Sequence, residues 1–269
     1  RDRLRSRGLG DVYKRQQMQS RLPSDIEKYA QTIKTIQYVQ TTLSNMFVLE
    51  PIPSLMRGYS RIGDSVLRRN CSNISAVLAS IQENSPDDWQ KFCDIIESLP
   101  ENEIQGISFV KTTINDVILI QKEQNGKSTE NIDATRLSDG TLRCIAVLAA
   151  VISEPEHSLI AIEELDNGIH PSRIIKLIKS LCEIAQRRKI DLVLTTHNVT
   201  VLNGLSKEDV LGVSVVYRDK ETQASRIVPF VEIENQAGIL ASGGIGTAME
   251  SERLLDEIKN EKEIVPFDF

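Results

Sequence analysis

Three short segments in a fixed order constrain this chain more than any other feature. They are Leu-Ser-Asp-Gly-Thr-Leu-Arg (Leu137 to Arg143), Leu-Ile-Ala-Ile-Glu-Glu (Leu159 to Glu164) and Leu-Val-Leu-Thr-Thr-His-Asn (Leu192 to Asn198). Leu159 to Ile162 is an unbroken apolar run, which predicts a strand buried on both faces, and it stops at two adjacent carboxylates. Paired acids are costly inside a core. At the carboxyl end of a parallel strand they would sit in the crevice where open α/β sheets bind ligands. There one acid can hold hydrated Mg²⁺ while the next activates water. The same residues also read as a strand running out into a solvated acidic turn.

The residues after Glu164 bear on that choice. Asp166-Asn167-Gly168-Ile169-His170-Pro171 predicts a turn into a helix, with Gly168 free to take positive φ and Pro171 suited to the first helical position. The helix is expected to reach about Arg188, with Ile174, Ile178, Leu181 and Ala185 on one apolar stripe and Arg173, Lys176, Lys179 and Arg187 mostly off it. A second buried strand, Leu192 to Thr196, then ends at His197. Strand, crossover helix and strand form a right-handed βαβ unit, so Glu163, Glu164 and His197 should emerge at one edge of one sheet.

Upstream, Ser138 can cap a helix that starts at Asp139 or Gly140 and runs to about Ile152; its body is apolar all round and therefore buried. Such a start offers backbone N–H groups to an anion, although an ordinary capped core helix would look the same.

Taken together the segments resemble the motif set of ABC-class P-loop ATPases, in the RecF/SMC-like AAA_21 group. Leu-Ser-Asp-Gly-Thr resembles the signature loop, Leu159 to Glu164 the Walker B strand, Glu164 to Pro171 the D-loop stretch, and Thr-Thr-His-Asn the switch-histidine loop. The close match covers about sixty residues. Leu165 stands where proline is usual, and Asp166 where glutamate is. A weaker likeness, Asn73-Ile-Ser-Ala-Val-Leu, extends the resemblance upstream to about residue 70.

The resemblance implies an α/β fold of the P-loop NTPase, ABC type: the C-terminal part, with a mostly parallel core sheet, flanking helices and a helical and β lobe. It implies an ATPase that uses ATP and Mg²⁺ and closes as a head-to-tail homodimer with ATP between the copies. Glu163 would be the Mg²⁺-associated carboxylate, through water and in place of the usual aspartate. Glu164 would be the base that orients attacking water, and His197 a contact to the γ-phosphate. Ser138, Asp139 and Gly140 would meet the nucleotide of the opposite subunit, while Asp166 and Asn167 would sit at the dimer contact. Arg143 could face the nucleotide or form an ion pair on the helix surface; His157 and His170 are expected to be structural. The process implied is DNA repair or phage defence, with DNA or a separate effector protein as partner. The alternative is an ATP-gated regulatory or scaffold module with little turnover that controls a separate effector.

No Gly-x-x-x-x-Gly-Lys-Ser/Thr occurs in the 269 residues. Gly126-Lys127-Ser128 fails as a phosphate loop because Gln121 occupies the first glycine position and no buried helix comes after it; Asn125-Gly126 reads as a hairpin turn. Ser242-Gly-Gly-Ile-Gly comes after the histidine loop, the wrong order for a signature, and is expected to be a flexible hinge before a helix from Met249 to Lys259. Ser6 to Gln16 resembles a translated sequencing adaptor, so residues 1–16 are expected to be a non-native scar on a fragment lacking Walker A and inactive alone; a basic arm for nucleic acid is the alternative. Without that segment's six basic and two acidic residues the chain holds 26 basic against 36 acidic, a net of −10, which gives DNA binding no electrostatic support.

Residues 17–135 are expected to form the inserted helical and β lobe, 136–235 the ATPase core, and 236–269 a tail with a terminal helix. Within the lobe, Arg57, Arg61, Arg68 and Arg69 read as a solvated basic loop, with contact to nucleotide or a partner as the alternative, and Trp89 reads as a packing residue. Cys71, Cys93, Cys144 and Cys182 show no metal spacing and read as reduced core thiols. No run of about eighteen apolar residues occurs, so no membrane span and a cytoplasmic location are expected.

Overall fold

A computed structural model describes residues 26–100, 104–206, 208–219 and 222–260, and residues 1–16 lie outside these. The chain divides by its contacts into two units, split between Asn45 and Met46. In the first, Ile26–Ser44 forms helix α1, as its helical spacing of apolar residues leads one to expect.

The second unit is built on a parallel sheet of three short strands, β1 (Met46–Leu49), β6 (Leu159–Ile162) and β7 (Asp191–Leu194), with β6 in the middle. Phe47, Ile160 and Leu192 are aligned across it, as are Leu49, Ile162 and Leu194. All six turn into the main core. The opposite face is only partly covered: Met46 is 47% exposed and Val193 49%. The expectation of burial on both faces is therefore corrected for β6 and β7. Within this unit helices α5 (Asp139–Ser153) and α6 (Pro171–Arg188) share the core with Ile160 and Ile162. Residues 46–49, assigned to the lobe from sequence, pair within this central sheet.

Helix α5 begins where Ser138 caps it, its Oγ accepting from the Thr141 amide at 3.1 Å. Gly140 to Ile152 are buried apart from the half-buried Arg143. Such a helix is covered on all sides, and it is the body around which the unit packs. Helix α6 opens at His170, whose Nδ1 accepts from the Ser172 amide, with Pro171 at its first position, and it closes on Lys189 in the left-handed conformation.

An antiparallel sheet flanks this core. The long strand β4 (Asp116–Asn125) pairs along one edge with β3 (Ile104–Lys111), and along the other with β2 (Ser60–Arg61) and then β5 (Ser128–Asp133). Gly126 and Lys127 make the two-residue turn between β4 and β5, with Gly126 at φ +62°, so the phosphate-loop look-alike is a hairpin. Helices α3 (Ile74–Asn84) and α4 (Pro86–Ser98) pack here, and Trp89 stacks on Phe92 with its ring 5.6 Å from Phe109. Buried Asn73 organises the entry to α3: its amide donates to Asp64 O and Val66 O, and its oxygen accepts from the Arg68 amide.

After β7 a short helix, α7 (Val199–Asn203), leads to a second core made by Val210, Val228, Phe230, Ile233, Ile239, Ile245, Ala248, Leu254 and Ile258. It contains a hairpin, β8 (Ser214–Arg218) with β9 (Ser225–Pro229). The glycine-rich stretch is not a hinge before one helix. Helices Gln236–Ala241, Ile245–Glu250 and Arg253–Asn260 succeed one another, and Gly246 lies so close to α7 that a Cβ there would come within 2.3 Å of Val199 O. Asn203 fastens the contact, its oxygen accepting from the Thr247 amide and its amide donating to Thr247 Oγ1. Close backbone approach is what the glycine supplies.

The four cysteines are free thiols. Burial pushes Cys71 up to about 12 and Cys144 to about 11. Alkylation at pH 8 is therefore expected to label the exposed Cys182 first, with Cys71 and Cys144 reacting only on unfolding, as peptide mass mapping would show. Because the unfolded thiols titrate near 9.0, the unfolded chain loses these protons first. Their contribution to stability is full below that pH and declines as pH rises towards 11–12. In the fully buried α5, Leu148→Ala is expected to cost about 2–5 kcal/mol, measured by denaturant unfolding.

Candidate functional site

Strands β6 and β7 run side by side, so the residues after Ile162 and Leu194 leave the sheet together. The Thr195 amide donates to Ile162 O at 3.1 Å and extends the ladder by one step. Beyond it the pairing changes character. Glu164 takes φ +47°, a left-handed conformation that costs a non-glycine residue about 1–3 kcal/mol. Its amide donates to Thr195 Oγ1 at 3.0 Å, and the next amide, Leu165, donates to Thr195 O at 3.2 Å. A proline at position 165 would have no N–H for the second bond.

The chain then turns tightly. The Asn167 amide donates to Glu164 O, the Ile169 amide to Asp166 O, and Gly168 adopts φ +73°. Asn167 Nδ2 lies 3.4 Å from Glu164 Oε2. Asp166 is buried, and its Oδ1 accepts from Thr196 Oγ1 at 2.6 Å within the same chain. Thr196 Oγ1 in turn accepts from the Asn198 amide, and Asn198 caps α7. Glu163, Glu164 and His197 are all exposed at these strand ends. Among the described residues Glu163 and His197 make no hydrogen bond, so their side chains are open to solvent.

The third segment lies against the same turn. A Cβ on Gly140 would come within 2.3 Å of Gly168 O and 3.5 Å of the Ile169 Cα, so only glycine permits this approach of the start of α5 to the turn after β6. Ser138 and Asp139, one step earlier, are exposed. Two arginines hold this corner. Arg57 Nη2 donates to Leu137 O at 2.8 Å and to Asp139 Oδ1 at 2.6 Å, reaching across from the loop after the short helix Pro53–Met56. Arg173 Nη1 donates to Thr141 Oγ1 at 3.3 Å and its Nε to Pro100 O at 2.8 Å. Ser138 Oγ donates to the same Thr141 hydroxyl at 2.9 Å.

Sequence reasoning missed both arginines and Thr195. Arg57 belonged to a basic run read as a solvated loop, and its partners are some eighty positions away. Arg173 was expected off the buried stripe of α6, yet it is 8% exposed. A buried guanidinium is tolerated where acceptors meet it, and Pro100 O and Thr141 Oγ1 do so. Half-buried Arg143 has no ion pair among the described residues. His170 caps α6, a structural place. A cavity of about 250 Å³ lies elsewhere, lined by Ser80, Asn84, Ser85, Asp88, Ser153 and Arg188 among others.

The family described as "AAA domain, putative AbiEii toxin, Type IV TA system" (AAA_21) matches residues 13–203, which include all three segments. The chain belongs to that family, and so to the ABC-class P-loop ATPases of the RecF/SMC-like group. No curated protein matches it. Among solved structures, an Smc head domain with a coiled coil and joint from Pyrococcus yayanosii is 11% identical, with a TM-score of 0.40 over 61% of this chain and 30% of that one. An Smc head from Pyrococcus furiosus bound to the C-terminal domain of ScpA is 11% identical, TM-score 0.38, over 68% and 40%. An SmcHead bound to the C-winged helix domain of ScpA is 12% identical, TM-score 0.43, over 68% and 54%. The chain thus spans between 30% and 54% of the length of those chains.

The Gly140 contact gives a direct check. Gly140→Ala is expected to destabilise the chain by about 1–3 kcal/mol, since backbone must move to admit the methyl group. Ser138→Ala, which removes only the cap, is expected to cost about 1 kcal/mol. Thermal unfolding followed by circular dichroism separates the two.

Proposed function

We propose that the intact protein binds and hydrolyses ATP between two copies of itself, closed head to tail. The observation that carries this reading is the bonding of the strand end at Glu164 to the switch segment through Thr195, with Glu163, Glu164 and His197 all exposed beside it. Phosphoryl transfer asks a protein for positioning and charge neutralisation more than for covalent chemistry, and a crevice at parallel strand ends is where open α/β sheets place that work.

In this reading Glu164 orients and deprotonates the attacking water, and His197 donates to the γ-phosphate. Glu163 holds Mg²⁺ through water. The donor chemistry fits: Mg²⁺ takes one or two carboxylates and completes its octahedron with waters and phosphate oxygens, and Glu163 is exposed with no other partner among the described residues. When bound, Mg²⁺ neutralises charge on the phosphates. Ser138, Asp139 and Gly140 face the nucleotide of the opposite copy. Asp166 and Asn167 lie at the contact between copies, with Asp166 reporting to Thr196 of its own switch segment. This reading also requires a phosphate loop, and no Gly-x-x-x-x-Gly-Lys-Ser/Thr occurs in these 269 residues.

The process served is DNA repair or phage defence. A second reading, an ATP-gated module that controls a separate effector, draws support from the C-terminal core. Residues 204–260 lie beyond the family match and expose Leu211, Val216 and Ile227, apolar side chains suited to a protein contact.

Glu164→Gln in the full-length protein is expected to lower ATP turnover by roughly a hundredfold or more while ATP-dependent dimers accumulate in size-exclusion chromatography. Wild-type turnover in that variant would remove Glu164 from its role. Stimulation of the wild-type enzyme by DNA would favour the first process, and ATP-dependent dimerisation unaffected by DNA the second.

A further inference from the structure

We propose that Thr195 is the positioning residue that holds Glu164 in its working conformation, an inference that rests on Glu164 acting as the base. Thr195 is tied to the end of β6 at three points. Its amide donates to Ile162 O, its hydroxyl accepts from the Glu164 amide, and its carbonyl accepts from the Leu165 amide. The middle bond is the unusual one. A strand that stayed extended would present the Glu164 amide to a backbone carbonyl of the ladder; here the left-handed turn at Glu164 presents it to a side-chain hydroxyl.

That turn is strained, so something must over-determine it. Two residues act on Glu164. Thr195 Oγ1 fixes its amide, and Asn167, through its own amide on Glu164 O and its side chain 3.4 Å from Glu164 Oε2, fixes the other end. The Leu165 amide, donating to Thr195 O at 3.2 Å, backs the hydroxyl bond with a second, backbone one. Thr195 itself is exposed, and removing its hydroxyl opens no cavity. The hydroxyl therefore serves the placement of Glu164 rather than the packing of the sheet.

The test compares wild type, Thr195→Val, Thr195→Ser and Glu164→Gln in the full-length protein, by steady-state ATP turnover and by amide hydrogen exchange at residue 164. Valine keeps the branched shape and removes the hydroxyl. Thr195→Val is expected to lower kcat about tenfold, the scale of one lost hydrogen bond, with KM for ATP unchanged. The Glu164 amide is expected to exchange faster by a similar factor while those of Ile160 and Ile162 keep their protection. Thr195→Ser should restore both. Wild-type kcat in Thr195→Val, unaltered exchange at residue 164, or failure of serine to restore them would overturn the proposal. An inactive Glu164→Gln beside an unaffected Thr195→Val overturns the role of Thr195 alone. Glu164→Gln with wild-type turnover overturns the assignment of the base, and the role of Thr195 with it.

Discussion

The parallel pairing of Leu159–Ile162 with Asp191–Leu194 is the interaction on which the rest depends. Parallel strands cannot be joined by a tight turn, so the pairing requires a crossover, and α6 with its cap at His170 supplies it. The register then decides what stands beside what: with Ile162 opposite Leu194, Glu164 meets Thr195 and Asp166 meets Thr196. A shift of one residue would turn Ile160 and Ile162 away from the core, so the apolar face that buries the sheet also fixes the geometry of the polar loops at its end.

The signature-like segment joins this arrangement through backbone rather than side chain. Gly140 lets the start of α5 rest on Gly168 O, and Arg57 and Arg173 hold Leu137, Asp139 and Thr141 from either side. The exposed Arg57–Asp139 pair adds little stability in itself, since such pairs are screened and cost side-chain entropy. Its effect is to restrict where an exposed loop can go. Arg173 differs because it is buried. Its bonds to Pro100 O and Thr141 Oγ1 link α6, α5 and the end of α4, and Lys176 adds a bond to Ser98 O on that last boundary.

Much of this was legible before the fold was known. Short apolar runs, a serine before a buried helix and Gly168 ahead of Pro171 are local signals, and the elements they predict are present: β6 and β7, α5 capped at Ser138, and α6 ending at Arg188. The α/β class with a parallel sheet comes from their alternation. Local signals fail where the partner is distant. The apolar run at Leu159 could not tell one covered face from two, because that depends on which helices arrive. Ser242-Gly-Gly-Ile-Gly carried every mark of a flexible linker, yet Gly246 is needed for contact with Val199 and Asn203 pins Thr247.

By itself, then, the sequence determined the helices and strands around the three polar segments, the order of those segments, and the family to which the chain belongs, because these are written in periodicity, capping and short motifs. Only the tertiary structure decided that Arg57 reaches Asp139, that Arg173 is buried, and that Thr195 receives the Glu164 amide. Each of those is a contact across some thirty to eighty positions whose geometry comes from strand register and helix packing. An arginine or a threonine carries no local mark of a partner that the fold has yet to bring near.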